Sequence, residues 1–240
     1  MRKIAALLTT ATLLCITCSV GYAQWSAASI PEELKREAHA VMRYSNTEID
    51  IEDLDNVHYK TKYAITILDE QGKTMANFAE HYNNLVKINK IRGWLYDKDG
   101  KEIRTLKEKD VYDRSTYGMN YAFHSDSRIK MFDFNYTSYP YTVEFEVDET
   151  FLTSFFLPAW VVQQHHYCAV ERSEFTIRYY SGTTPVKIKE YLMPERTEKE
   201  TGKDEQNKDK ITWRLSNVPA YIEQPHFKTG NYAGPTVVIA

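Results

Sequence analysis

Residues 141–149 read YTVEFEVDE. Val143, Phe145 and Val147 fall at every second position, and Thr142, Glu144, Glu146 and Asp148 fill the places between. Successive side chains of an extended strand leave on opposite faces, so this order gives one apolar and one polar face. A helix would scatter the same residues around its surface. The stretch predicts a strand with one face buried and one wet, as antiparallel sheets commonly have.

The same period runs outward in both directions. In TEIDIED (47–53), Ile49 and Ile51 alternate with Glu48, Asp50 and Glu52. In VHYKTKYAITIL (57–68), Tyr63, Ile65 and Ile67 share a face. SEFTIRYY (173–180) sets Phe175, Ile177 and Tyr179 against Thr176, Arg178 and Tyr180. VKIKEYL (186–192) and KITWRLS (210–216) repeat the pattern through Val186 and Ile188, and through Ile211, Trp213 and Leu215. In LVKINKIRGWLYDKDGKEIRTL (85–106), Asp97-Lys98-Asp99-Gly100 supplies the residues a tight hairpin turn needs. DEQGK (69–73) reads as another turn. One helix is expected from about Pro31 to Ala40, with Ser29 as its cap and Glu32 and Glu33 at its positive end. The fold class is therefore all-β: an antiparallel β-sandwich, built from one or two packed sub-sheets, with one short N-terminal helix.

Two segments lack the period. PERTEKETGKDEQNKDK (194–210) carries no large apolar residue and reads as a long solvated loop inside a hairpin. DRSTYGMNYAFHSDS (113–127) is polar, aromatic and aperiodic, and a sub-division of the domain is placed near it.

The chain has 240 residues and opens with MRKIAALLTTATLLCITCSVGYAQ. Arg2 and Lys3 precede an apolar run, and small residues precede Gln24, the pattern of a signal peptide cut after Ala23. Residues 24–240 are thus expected to be periplasmic or secreted, with no membrane span in the mature chain. Losing Arg2 and Lys3 takes the formal charge from −3 to −5, and a mildly acidic chain with interspersed signs argues against nucleic acid as partner. Cys15 and Cys18 leave with the leader, so Cys168 has no internal partner for a disulfide.

Cys168 stands in HHYCAV (165–170), beside His165 and His166. If 161–168 is extended, His166 shares a face with Cys168 and His165 points away, so the two imidazoles cannot meet on one ion. No residue spacing typical of a metal site, no phosphate loop and no nucleophile elbow is present, and no metal or cofactor is expected. A thiol enzyme using Cys168 and His166 is the weakest of three readings, since a strand offers no helix dipole to activate the thiol. A glycan- or peptide-binding module is the second, using Tyr117 and Tyr121 of the aperiodic loop with Asp126 and Arg128 beyond it. The plainer role for Asp126 and Arg128 is to brace their own turn.

The order of several segments resembles a known family. These are IPEELKREAHAVMRYSNTEIDI, YAITILDEQGK, IRGWLYDKDGKEI, HSDSRIKMFDF, TVEFEVDET, AVERSEFTIRY and WRLSNVPAYIEQP. Together they are similar to the exported domain of unknown function that precedes transglutaminase-like domains in bacterial envelope proteins. The resemblance runs from about Ile30 to the end of the chain. It implies a β-sandwich, no catalytic residues and a variable position at Cys168. It also implies the first reading of function: a non-catalytic module acting through protein contacts, with a transglutaminase-like domain or another envelope protein as partner.

Overall fold

The computed structural model describes residues 24–116, 126–182, 184, 186–222 and 234–239. One large sheet dominates. It contains β1 (Ala40–Asp53), β2 (Asn56–Ile67), β4 (Val86–Tyr96), β5 (Glu102–Thr105), β8 (Tyr141–Phe151), β10 (Cys168–Tyr179), β12 (Glu198–Lys203) and β13 (Asp209–Val218). Their order is β12-β13-β10-β1-β2-β8-β4-β5. Two small sheets complete the β structure. One is β3 (Phe78–Tyr82), β7 (Arg128–Phe132) and β6 (Tyr112–Ser115), in the order β3-β7-β6; the other is β11 (Ile188–Tyr191), β14 (Thr236–Ile239) and β9 (Trp160–Val161), in the order β11-β14-β9. The sheets do not close into a barrel.

Residues paired across a ladder share a face. Phe145 pairs with Tyr63, Val147 with Thr61, Ile49 with Tyr59 and Phe175 with Trp213, so the side chains that alternate in the sequence lie on one inner surface. The small sheet β11-β14-β9 covers that surface over β10 and β13, where Trp160, Val237 and Ile239 pack with Ile177, Trp213 and Leu215. The small sheet β3-β7-β6 covers it over β8 and β4, where Phe78, Phe132 and Phe134 pack with Phe145, Val147 and Leu95. Between the two lids the inner surface is left with Ser45, Thr47, Tyr59, Thr61 and Tyr63.

The outer surface is not uniformly wet. The segment from Trp25 to Leu34 lies against it, held by Trp25 Nε1 donating to Glu144 (2.9 Å) and by buried Arg43 donating to Ser26 O and Ser29 Oγ. Glu144 also accepts from Tyr96 and pairs with Lys62, so its burial is compensated. Four sequence expectations change here. The helix spans only Glu32–Lys35, because Glu37 takes a positive φ of 57° and Ala40 already belongs to β1. The turn at 69–73 extends into a 3-10 helix, Glu70–Ala76, capped by Asp69 accepting from the Gln71 and Gly72 N–H groups. The charge run at 194–210 holds strand β12, whose six residues are all exposed; with both faces in water, no apolar period marks it. Finally, β1 and β10 run parallel, so the sheet is mixed.

Candidate functional site

Tyr117 and Tyr121 lie outside the described residues. Asp126 and Arg128 do not share a site; each serves the β3-β7-β6 sheet. Asp126 accepts from the backbone N–H of Asn84 at 3.0 Å, in the turn between β3 and β4. Arg128 opens β7 opposite Tyr82. Its Nε donates to the Tyr82 hydroxyl (2.7 Å) and to Asp113 Oδ1 (3.0 Å), and Tyr82 in turn donates to Asp113 Oδ2 (2.7 Å). Strands β3, β7 and β6 are thereby tied side chain to side chain.

The stretch 161–168 is not extended. Tyr167 takes a φ of 56°, which separates His166 from the strand that Cys168 begins. The His166 ring lies 4.5 Å from that of Tyr221, and Cys168 is buried, 3% exposed, among Ala40, Ile65 and Ile67. Burial pushes the thiol up to about 12, where it stays protonated at neutral pH.

A different constellation occupies the gap between the two lids. The cleft there has a volume of about 330 Å³. Its floor is Ser45 and Thr47 of β1 with Tyr59, Thr61 and Tyr63 of β2; one wall is Glu80 of β3 and the other Trp160 and His165. Thr47 and Thr61 lie 3.3 Å apart through their hydroxyl oxygens. Glu149 of β8 is the ladder partner of Tyr59 and so projects on the same inner face. It is 1% exposed, and its Oε1 has no hydrogen-bond partner among the described residues. Burial, then the charges of Glu80 and Asp148, push its carboxyl up to about 8. Burial likewise lifts Glu80 to about 7. The hydroxyls of Tyr59 and Tyr63 are raised by burial and by Glu80, with Glu149 adding to the effect on Tyr59. Burial and the adjacent His166 hold the His165 imidazole below its usual range.

Glu80 lines the cleft, whereas Glu149 does not and is a buried carboxyl beside Tyr59. The sequence did carry a trace of it. Glu149 stands in phase with Val143, Phe145, Val147 and Phe151, so the alternation that buries those residues buries a carboxyl too. No group of three or more His, Cys, Asp and Glu residues among the described ones is arranged to hold a metal.

Among solved structures, the chain is similar to a crystal structure from Parabacteroides distasonis ATCC 8503 described as a "putative protease", with a TM-score of 0.68 at 14% identity. The match covers 84% of this chain and 40% of that one. An M1 zinc metallopeptidase from Deinococcus radiodurans aligns with a TM-score of 0.35 at 6% identity, over 84% of this chain and 42% of that one. The first likeness is one of fold, and this chain spans less than half the length of either protein. No curated protein matches the chain. Residues 55–222 match the sequence pattern of the Domain of Unknown Function with solved-structure structure (DUF3857), from the β1–β2 turn to beyond β13. The chain belongs to the DUF3857 family.

Proposed function

We propose that this protein is a non-catalytic module that acts outside the cytoplasm through protein contacts, as accessory to a transglutaminase-like domain. The observation that carries the reading is an apolar cluster at one end of the large sheet. Three connections meet there. Leu54 lies in the β1–β2 turn, Leu85 in the β3–β4 turn, and Phe155 and Phe156 in the segment after β8. Backbone bonds from Leu152 N to Leu85 O and from Ser154 N to Leu54 O, both 2.8 Å, hold the three together. Phe155 is 79% exposed and Phe156 82%, an arrangement that leaves two large rings in water on an anchored surface. Exposed apolar clusters of this kind mark sites of protein association. The buried, protonated Cys168 fits a part that offers surfaces.

Sedimentation velocity on a mixture of this protein with a purified transglutaminase-like domain from the same genome tests the reading. A complex is expected, and replacing Phe155 and Phe156 by serine abolishes it without altering the thermal midpoint. Two independently sedimenting species would overturn it.

A further inference from the structure

The exposed rings at the end of the large sheet are framed by charge of one sign. Phe155 and Phe156 stand between Phe151 and Leu157, both buried in the core, so the rings are held out on a short segment fixed at its two ends. Residues 152–158 carry no charge of their own. The bond from Ser154 N to Leu54 O lays this segment against the β1–β2 turn, where Asp53 and Asp55 flank Leu54. Both aspartates are exposed, and neither carboxylate has an ion-pair or hydrogen-bond partner among the described residues. On the other side, the bond from Leu152 N to Leu85 O brings in the β3–β4 turn. There Asp126 accepts from the N–H of Asn84, next to Leu85, and it too lacks an ion pair among the described residues. Two cations lie nearby. Lys208 is buried against Asp50 and Glu52 and is already paired. Lys87 is the neighbour of Val86, which packs into the inner core, so Lys87 leaves on the outer face of β4. The rim around the rings is therefore acidic.

That sign sorts the candidates for what covers the rings. A second copy docking about a two-fold axis would set these acids against their own equivalents. A lipid surface carries anionic headgroups and repels the same rim. A protein face with an apolar pocket and a basic border satisfies both features, since aromatic anchors fill pockets and rim charges pair around them. We propose that the sheet end bearing Phe155 and Phe156 docks a protein surface whose apolar pocket is bordered by lysine or arginine. The inference rests on the contact reading above and adds the chemistry of the partner's face. The rings hold the complex, and Asp53, Asp55 and Asp126 steer the encounter. Exposed rim charges act mainly on the rate of association and are screened by salt.

The test is biolayer interferometry of this protein with the purified transglutaminase-like domain from the same genome, at about 25 and about 500 mM NaCl. The association rate is expected to fall about tenfold or more between the two salt concentrations. Replacing Asp53 and Asp55 together by asparagine lowers the low-salt rate about threefold or more, and replacing both by lysine lowers it further. At the higher salt these variants match the parent. Asp126→Asn, on a different turn, shifts the rate in the same direction and serves if the paired variants do not fold. A complex whose association rate ignores salt and these substitutions overturns the basic border and leaves the contact reading standing. Absence of any complex overturns both. Self-association of the protein alone at low salt, lost when Phe155 and Phe156 become serine, overturns the proposal in favour of a second copy. Binding to phosphatidylglycerol vesicles that is lost in the same variant overturns it in favour of a lipid surface.

Discussion

At the scale of single residues, Glu149 and Glu80 both shape the pH response of the fold, Glu149 over the wider range. Its folded value of about 8 lies above the ordinary 4.5 of a glutamate. Between those values the folded protein holds a proton that the unfolded chain has lost, so stability falls as pH rises through the window. The slope is about 1.4 kcal/mol per pH unit while the difference is a full proton, and it vanishes above the folded value. Denaturant titrations from pH 4 to pH 9 should show this decline, and Glu149→Gln, which cannot ionise, should lessen it while leaving the part below about pH 7 that Glu80 contributes. Gly72 is constrained by space instead of charge. A Cβ there would lie 2.3 Å from the His39 carbonyl oxygen, and backbone cannot swing aside. Gly72→Ala should cost about 1–3 kcal/mol, measured by the urea midpoint. The need for glycine at 72 is not visible in DEQGK, because the residue it meets is thirty-three positions earlier, across the sheet. Glu149 is the opposite case. Its phase in the opening stretch sets it on the core face, although its charge alone would not.

At the scale of elements, what could be read depended on whether a strand has one buried face. Strands β8, β10 and β13 each do, and their period of two is plain in the sequence. Strand β12 has none, so it looked like loop. The parallel pairing of β1 with β10 is equally hidden, since alternation says which face is buried and nothing of which strand lies alongside. The cleft floor was obscured for a related reason. Ser45, Thr47 and Thr61 read as polar interruptions until the ladder placed them side by side. The β3-β7-β6 sheet yields its own prediction. Arg128 is about half exposed, so its bonds to Tyr82 and Asp113 carry little global stability. Arg128→Ala should leave the thermal midpoint nearly unchanged, while hydrogen exchange in Tyr112–Ser115 and Arg128–Phe132 quickens and exchange in β8 does not.

At the scale of the whole molecule, one sheet carries two lids, and the lids come from different parts of the chain. Strands β3, β6 and β7 precede β8; β9, β11 and β14 follow it. The core under the second lid needs Phe175, Ile177, Trp213 and Leu215, all C-terminal to Cys168. A chain ending at Tyr167 would leave Ile49, Ile51 and Val57 without that cover. Such a truncation should unfold without a cooperative heat-absorption peak in calorimetry, whereas the full chain should show one.

The parallel alignment of Ala40 with Cys168 has a consequence for how the polypeptide comes into being. β1 and β2 are made early, and the hairpin they form has both flanks waiting, β2 for β8 and β1 for the later β10. During that interval each flank is a template for other nascent copies. The exposure ends only when β10 aligns along β1.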